Sequence, residues 1–297
     1  MDPNSCDLYA GLSGFELGPD EFKFGHGVVL SKTYAHFMAP FMMAFKRAEL
    51  GKAHPAPWKA AAGGLGYDIS AQLFVPLDLT VPGWSDWFDR LNTVWWFTAL
   101  MRLKGSSLAF TPLLASESFS SMLSMEGEPH TWPVEVHTRR LVPESNPAKI
   151  IAVDALAWIE QHWVSGGALM CQNSDFSIAF QAFDACTWTS TPSLALVSLW
   201  GGLERLFSPS NQELKFRVSA LIASFLERPG KERLACYQRV KKLYDARSRA
   251  AHRASHDEID ALVDTYALMK RVLTKIIEDN HIPTTEQLEG QLLGEQG

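Results

Sequence analysis

Cysteine is scarce in this chain, and what there is lies scattered. Cys6, Cys171, Cys186 and Cys236 form no Cys-x-x-Cys pair, which argues against a zinc site or a disulfide frame and fits reduced thiols in a cytosol. Long apolar runs are missing as well. The most apolar window, Val94 to Met101, is too short to span a bilayer and meets Arg102 at once. No signal peptide opens the chain, so the expectation is a cytoplasmic protein without a membrane partner. Residues 1 to about 150 hold no Walker loop, no dinucleotide fingerprint and no Gly-x-Ser-x-Gly elbow, and no cofactor is implied. Neither an internal repeat nor a low-complexity tract is present. What the chain does have is enough apolar residue, 46%, and ten tryptophans to fill a sizeable core, spread over a length that suits two domains or one large one.

The pattern predicts an α+β protein: a mixed α/β module over residues 1–150, then an all-helical up-and-down bundle over 151–297. Glu21–Lys32, Tyr67–Val81, Leu108–Leu114 and Val134–Leu141 read as strands, Tyr34–Leu50 and Ser85–Leu103 as helices, and residues 53–66 as a punctuated loop. Trp84, Trp87, Leu91 and Trp95 fall at helical spacing and read as core. Glu135 and His137 would share a strand face near His130, but no third ligand is placed, so no metal is expected. By exclusion this half reads as a recognition or regulatory module. Beyond residue 151, Val153–Val164 and Asp175–Cys186 read as helices, Pro192 restarts the chain, and Leu196, Trp200, Leu203 and Phe207 share one face. Leu214, Val218, Leu221 and Phe225 line the next helix, which Pro229 and Gly230 end; Ile259 to Ile276 marks the last long one. The tail after His281 reads as a short helix or frayed end.

Charge is uneven. Residues 201–253 carry twelve basic and five acidic side chains, so this segment is +7 within a chain of net charge -6. A basic island in an acidic protein suits a polyanion, although a solvated helix face gives the same count. The island contains Arg247 and His252. An arginine offers a planar, permanently charged fork for phosphate, and a histidine moves protons near neutral pH. The stripe Cys236, Val240, Leu243 runs directly onto Arg247, so the arginine emerges where an apolar seam ends. On an unbroken helix Arg247 and His252 would stand roughly 140° apart around the axis. Ser255-His256-Asp257-Glu258 reads as a capping box, which puts a helix break near His252 or Arg253 and frees the histidine to point back. The plainer alternative is an Arg247 ion pair with Asp245 or Glu204, and a His252 that merely ends a helix.

The succession ALVSLWGGLERLF, ELKFRVSALIASFLE and KKLYDARSRAAH resembles the HEPN superfamily, and within it the Apea-like HEPN domains of prokaryotic defence proteins, over roughly residues 173–280. The resemblance implies a HEPN-like bundle that pairs as a homodimer and cuts RNA, tRNA or single-stranded, without a metal, in phage defence or growth arrest. Arg247 and His252 would be catalytic. Glu204 matches an acidic position of an earlier helix in the family and would orient Arg247. Ser248 stands where many members carry Asn, Asp or His; Asp245 would support, and Lys241, Lys242, Tyr244, Arg249 and Arg253 would contact RNA. A phage or host trigger would act on the N-terminal half. Members that only bind RNA, sense a ligand or scaffold partners supply the competing expectation. Toxins of nucleotidyltransferase-neutralised pairs carry a tyrosine two places past the histidine, where this chain has Ala254.

Overall fold

An antiparallel sheet forms first along the chain. It is built from β1 (Leu8–Ser13), β3 (Glu21–Lys23), β4 (Val29–Ala44), β5 (Trp58–Val75), β6 (Phe110–Ala115) and β7 (Thr131–Pro133), in the order β3-β4-β5-β1-β6-β7. A small parallel pair joins β2 (Glu16–Leu17) to β8 (Ile150–Ile151). The structure, a computed structural model, describes residues 2–137, 139–207, 214–250 and 258–294. One helix, α1 (Arg90–Lys104), lies within the N-terminal half; α2 (Val153–Gln172), α3 (Ser174–Ala185), α4 (Pro192–Phe207), α5 (Leu214–Leu226), α6 (Lys231–Ala250), α7 (Glu258–Asp279) and α8 (Thr285–Leu293) follow. The fold class is α+β, a sheet followed by a run of helices. Among the described residues, no helix is long and apolar enough to cross a membrane.

The helix starts follow from local chemistry. Asp89 accepts from the Asn92 N–H at 2.9 Å and opens α1, Asn173 does the same for Phe176 at the head of α3, and Thr284 with Gln287 forms a reciprocal capping box on α8. Helix α1 buries Trp96, Phe97, Leu100, Met101 and Leu103 almost completely, so it is apolar nearly all round and sits between the sheet and the bundle. One apolar core therefore runs from Leu8 and Leu73 on the sheet through Trp96 and Trp163 to Trp200 and Ile276. Three indoles cross it: Trp96 donates to the Trp163 carbonyl, Trp163 to that of Phe24 and Trp84 to that of Val164, each at 2.9 Å. Gly167 makes room for this packing, since a Cβ there would fall 2.2 Å from the Trp84 ring.

Three sequence expectations change. Tyr34–Leu50 is not a helix: it belongs largely to β4, and β5 begins at Trp58 inside the stretch read as a loop. Ala, Met and Phe in that stretch suit a helix, but Pro40 would break its interior, and the long-range pairing of Val29–Ala44 with Trp58–Val75 decides the outcome. Pro40 is tolerated because the outer edge of β4 has no strand partner there among the described residues. In place of a strand over Val134–Leu141, β7 covers Thr131–Pro133, and Val134 and Glu135 still donate to the Pro112 and Thr111 carbonyls at 3.0 Å. The helix begun at Val153 runs on to Gln172, and the tail forms α8.

Inside the N-terminal half, Arg102 is fully buried and donates to Asp184 at 2.6 Å, to Glu135 and to the Ala109 carbonyl at 2.8 Å. Trp95 donates to the second oxygen of Asp184 at 2.8 Å. Burial opposes the charge on Arg102, but Asp184 and Glu135 hold its pKa above the ordinary arginine value. This cluster bolts α1 to α3 and to the segment that follows β7.

Candidate functional site

Helix α6 carries Val240, Leu243 and Tyr244 into the core, and Arg247 follows on the same stripe with its side chain 27% exposed. Opposite stands α4, whose buried Trp200 and Leu203 hold Glu204 at the rim of the core. The Tyr244 hydroxyl donates to Glu204 Oε1 at 2.9 Å, and the other carboxylate oxygen lies 3.5 Å from Arg247 Nη2. That second distance is an ion pair without a close hydrogen bond. The guanidinium sits 5.7 Å from the Tyr244 ring, which meets Trp200 edge-on at 5.0 Å. Arg247 Nε is buried and finds no acceptor among the described residues. Burial, then the hydrogen bond and charge of Glu204, raise the Tyr244 pKa against the opposing pull of Arg247. The phenol stays protonated at neutral pH and donates to the carboxylate. The arrangement is a cation aimed by a carboxylate, with donors left over.

The remaining expected residues divide. Asp245 turns away from Arg247 and pairs with Lys215 of α5 at 2.6 Å. Ser248 donates back to the Tyr244 carbonyl at 3.2 Å, within its own helix. Lys241, Lys242 and Arg249 are exposed on α6, with Lys241 5.9 Å from the Tyr237 ring. His252 and Arg253 lie outside the described residues, as do Ser255, His256 and Asp257 of the expected capping box. α7 begins at Glu258, whose carboxylate accepts from Ser193 near the start of α4 at 2.7 Å. This contact ties the start of α7 to the helix that carries Glu204.

Sequence reasoning missed the buried Arg102 cluster and the cavity beside it. That cavity, about 510 Å³, is lined by Trp87, Trp95, Trp188, His137 and Gln181 among others. Trp87 is half exposed there and is no core residue. The Glu135 carboxylate holds Arg102 and accepts from the Thr111 N–H at 2.7 Å. No cluster of three or more possible metal ligands occurs among the described residues. Two signals could have pointed here: an arginine among apolar neighbours needs a carboxylate, and Asp184 follows the apolar face of Phe176, Ala179, Phe180 and Phe183.

No protein-family model, curated protein or solved structure matches this chain.

Proposed function

We propose that the protein is a metal-independent RNA endonuclease of HEPN type, acting in the cytoplasm as a homodimer in which two copies of Arg247 and His252 share one cleft. The observation that carries this reading is the state of Arg247. It stands at the rim of the core beside Glu204, is held at only 3.5 Å, and keeps a buried Nε without an acceptor among the described residues. A phosphate oxygen would supply that acceptor, and the +7 segment around it would draw in the backbone.

In this reading one His252 removes the proton from a ribose 2'-hydroxyl, and the oxygen attacks the adjacent phosphorus. The partner's His252, or a water, protonates the departing 5'-oxygen. Arg247 offsets the charge that grows on the phosphoryl oxygens, while Glu204, itself held by Tyr244, fixes the plane of the guanidinium. Products are a 2',3'-cyclic phosphate and a 5'-hydroxyl. DNA, which has no 2'-hydroxyl, resists. Anti-phage defence or growth arrest, with a trigger received by the N-terminal half, is the context the HEPN resemblance suggests.

A second reading has its own support. The Arg247–Glu204 pair is also a sound inter-helix contact, and Ser248 bonds to its own helix, which suits a non-catalytic HEPN module that binds RNA, senses a ligand or scaffolds partners. Purified protein and its His252→Ala variant, incubated with tRNA and single-stranded RNA in EDTA, separate the two. Cyclic phosphate ends made only by the unmutated protein support the enzyme. RNA binding by both without cleavage supports the module.

A further inference from the structure

The outer part of the β4–β5 ribbon presents an exposed apolar surface. β5 pairs with β1 only from Ala71 onward and β4 with β3 only up to Ser31, so beyond these points the two strands stand as a pair with both edges open among the described residues. Phe37–Ala44 on β4, Phe45 just past its end, and Ala60–Tyr67 on β5 contain no charged residue. Large apolar side chains emerge on both faces: Met38 is 73% exposed, Met42 57%, Phe45 59% and Trp58 60%. Single exposed apolar residues are ordinary, but a contiguous group of this kind marks an interaction surface. The charge-free stretch has sharp limits. Toward the body it ends at Tyr67, paired with Phe37, and at the His36–Asp68 contact of 2.7 Å. At the outer end it stops at Lys59, paired with Met43, next to Trp58, paired with Ala44; the turn beyond carries Lys46, Arg47 and Lys52 against Glu49. That turn has its own order: His54 contacts the Lys46 carbonyl at 3.0 Å, and the Trp58 indole donates to the His54 carbonyl at 3.0 Å.

We propose that this ribbon inserts into a bilayer containing anionic lipid. The eight residues Phe37–Ala44 of β4 extend roughly 26 Å, close to the height of the apolar band of membrane-spanning strands. An apolar band bounded by Tyr at one end and Trp at the other, with a cation beside the Trp and more in the turn, is the pattern that interfacial girdles impose. A groove on another protein would cover one face and leave the second in water, whereas lipid covers both. The turn is +2 on a chain that is otherwise -8, so the cationic end is local and suited to a negative leaflet. In hydrocarbon the open backbone edges must find partners. Another ribbon offers the same edge, so insertion goes with lateral pairing of copies and with leakage of the bilayer.

The test is flotation and dye release, using the full chain and vesicles of phosphatidylcholine with about one third phosphatidylglycerol. The unmutated protein should float with these vesicles at least tenfold more than with pure phosphatidylcholine, and should release the dye. The triple variant Phe41→Asp, Met42→Asp, Phe45→Asp should lose both properties while keeping its melting temperature, since these side chains contribute little to the core. Lys46→Gln, Arg47→Gln, Lys52→Gln should remove the preference for the anionic lipid. Failure of the unmutated protein to float overturns the proposal, as does flotation unchanged by the triple variant. Conversion of a stable vesicle-free dimer to monomer by that variant, without any flotation, would overturn it in favour of a second copy as the occupant.

Discussion

Two arginines, Arg102 and Arg247, meet their carboxylates in different ways. Arg102 is wholly enclosed and faces two carboxylates, with its Nε given to a backbone carbonyl. Arg247 is about a quarter exposed, faces one carboxylate at 3.5 Å and has a donor to spare. An arginine whose donors are all answered has nothing to offer a ligand. The first therefore holds elements together, and the second keeps a buried nitrogen without an acceptor among the described residues. The surroundings agree: Arg102 links elements on either side of residue 150, whereas Arg247 lies at the end of a helix inside a basic segment.

The largest effect expected is on folding. Arg102→Ala should leave Asp184 and Glu135 without their direct ion-pair partner and lower stability by about 3–5 kcal/mol, measured by urea unfolding. A mild loss would dissolve the distinction between the two arginines. Next comes Arg247→Ala, which should reduce RNA cleavage by about 100-fold or more while changing stability by less than about 1 kcal/mol. A folding defect as large as that of Arg102→Ala would make Arg247 a second bolt. Glu204→Gln keeps an acceptor for Tyr244 but removes the charge facing Arg247. Cleavage should fall roughly tenfold, about 1.4 kcal/mol at the transition state, with melting little changed; an unaltered rate would take Glu204 out of the aiming role.

The smallest effect concerns Tyr266, whose buried hydroxyl has no hydrogen-bond partner among the described residues. Burial pushes its pKa well above the ordinary value. The folded form thus holds the proton more tightly than the unfolded one. The resulting stability is fully present below a pH of about 10 and is lost as pH rises toward the folded pKa. Tyr266→Phe should leave melting at pH 7 unchanged or slightly higher and flatten the decline on the alkaline side. An unchanged alkaline decline would mean that other groups cause it.

The helical half was legible because each helix has one buried face and clear stops. Pro192 opens α4, Pro229 and Gly230 separate α5 from α6, and the stripe through Val240 and Leu243 delivers Arg247 where the structure has it. The ribbon was not legible, since strand periodicity appears only where one face is buried and the other wet. From Met38 outward both faces of β4 are largely exposed, so the alternation that betrays a strand is missing. Glu204 as an ion-pair partner of Arg247 could be anticipated. Its hydrogen bond to Tyr244 could not, because the two residues lie forty positions apart and meet only when α4 and α6 pack. The Arg102 cluster escaped for the same reason, its partners being 33 and 82 residues away.

The indole bonds that cross the core also bear on synthesis. Phe24 receives its hydrogen bond from Trp163, 139 residues later, and Trp96 and Trp84 donate to carbonyls of α2. As the chain leaves the ribosome, the sheet and α1 therefore emerge with their largest aromatic surfaces uncovered and several polar groups unanswered, and they stay so until α2 is made. At ordinary elongation rates of about 5–20 residues per second, that wait lasts several seconds. During this interval the nascent sheet, with a long apolar ribbon and open edges, is the species with most to gain from a chaperone.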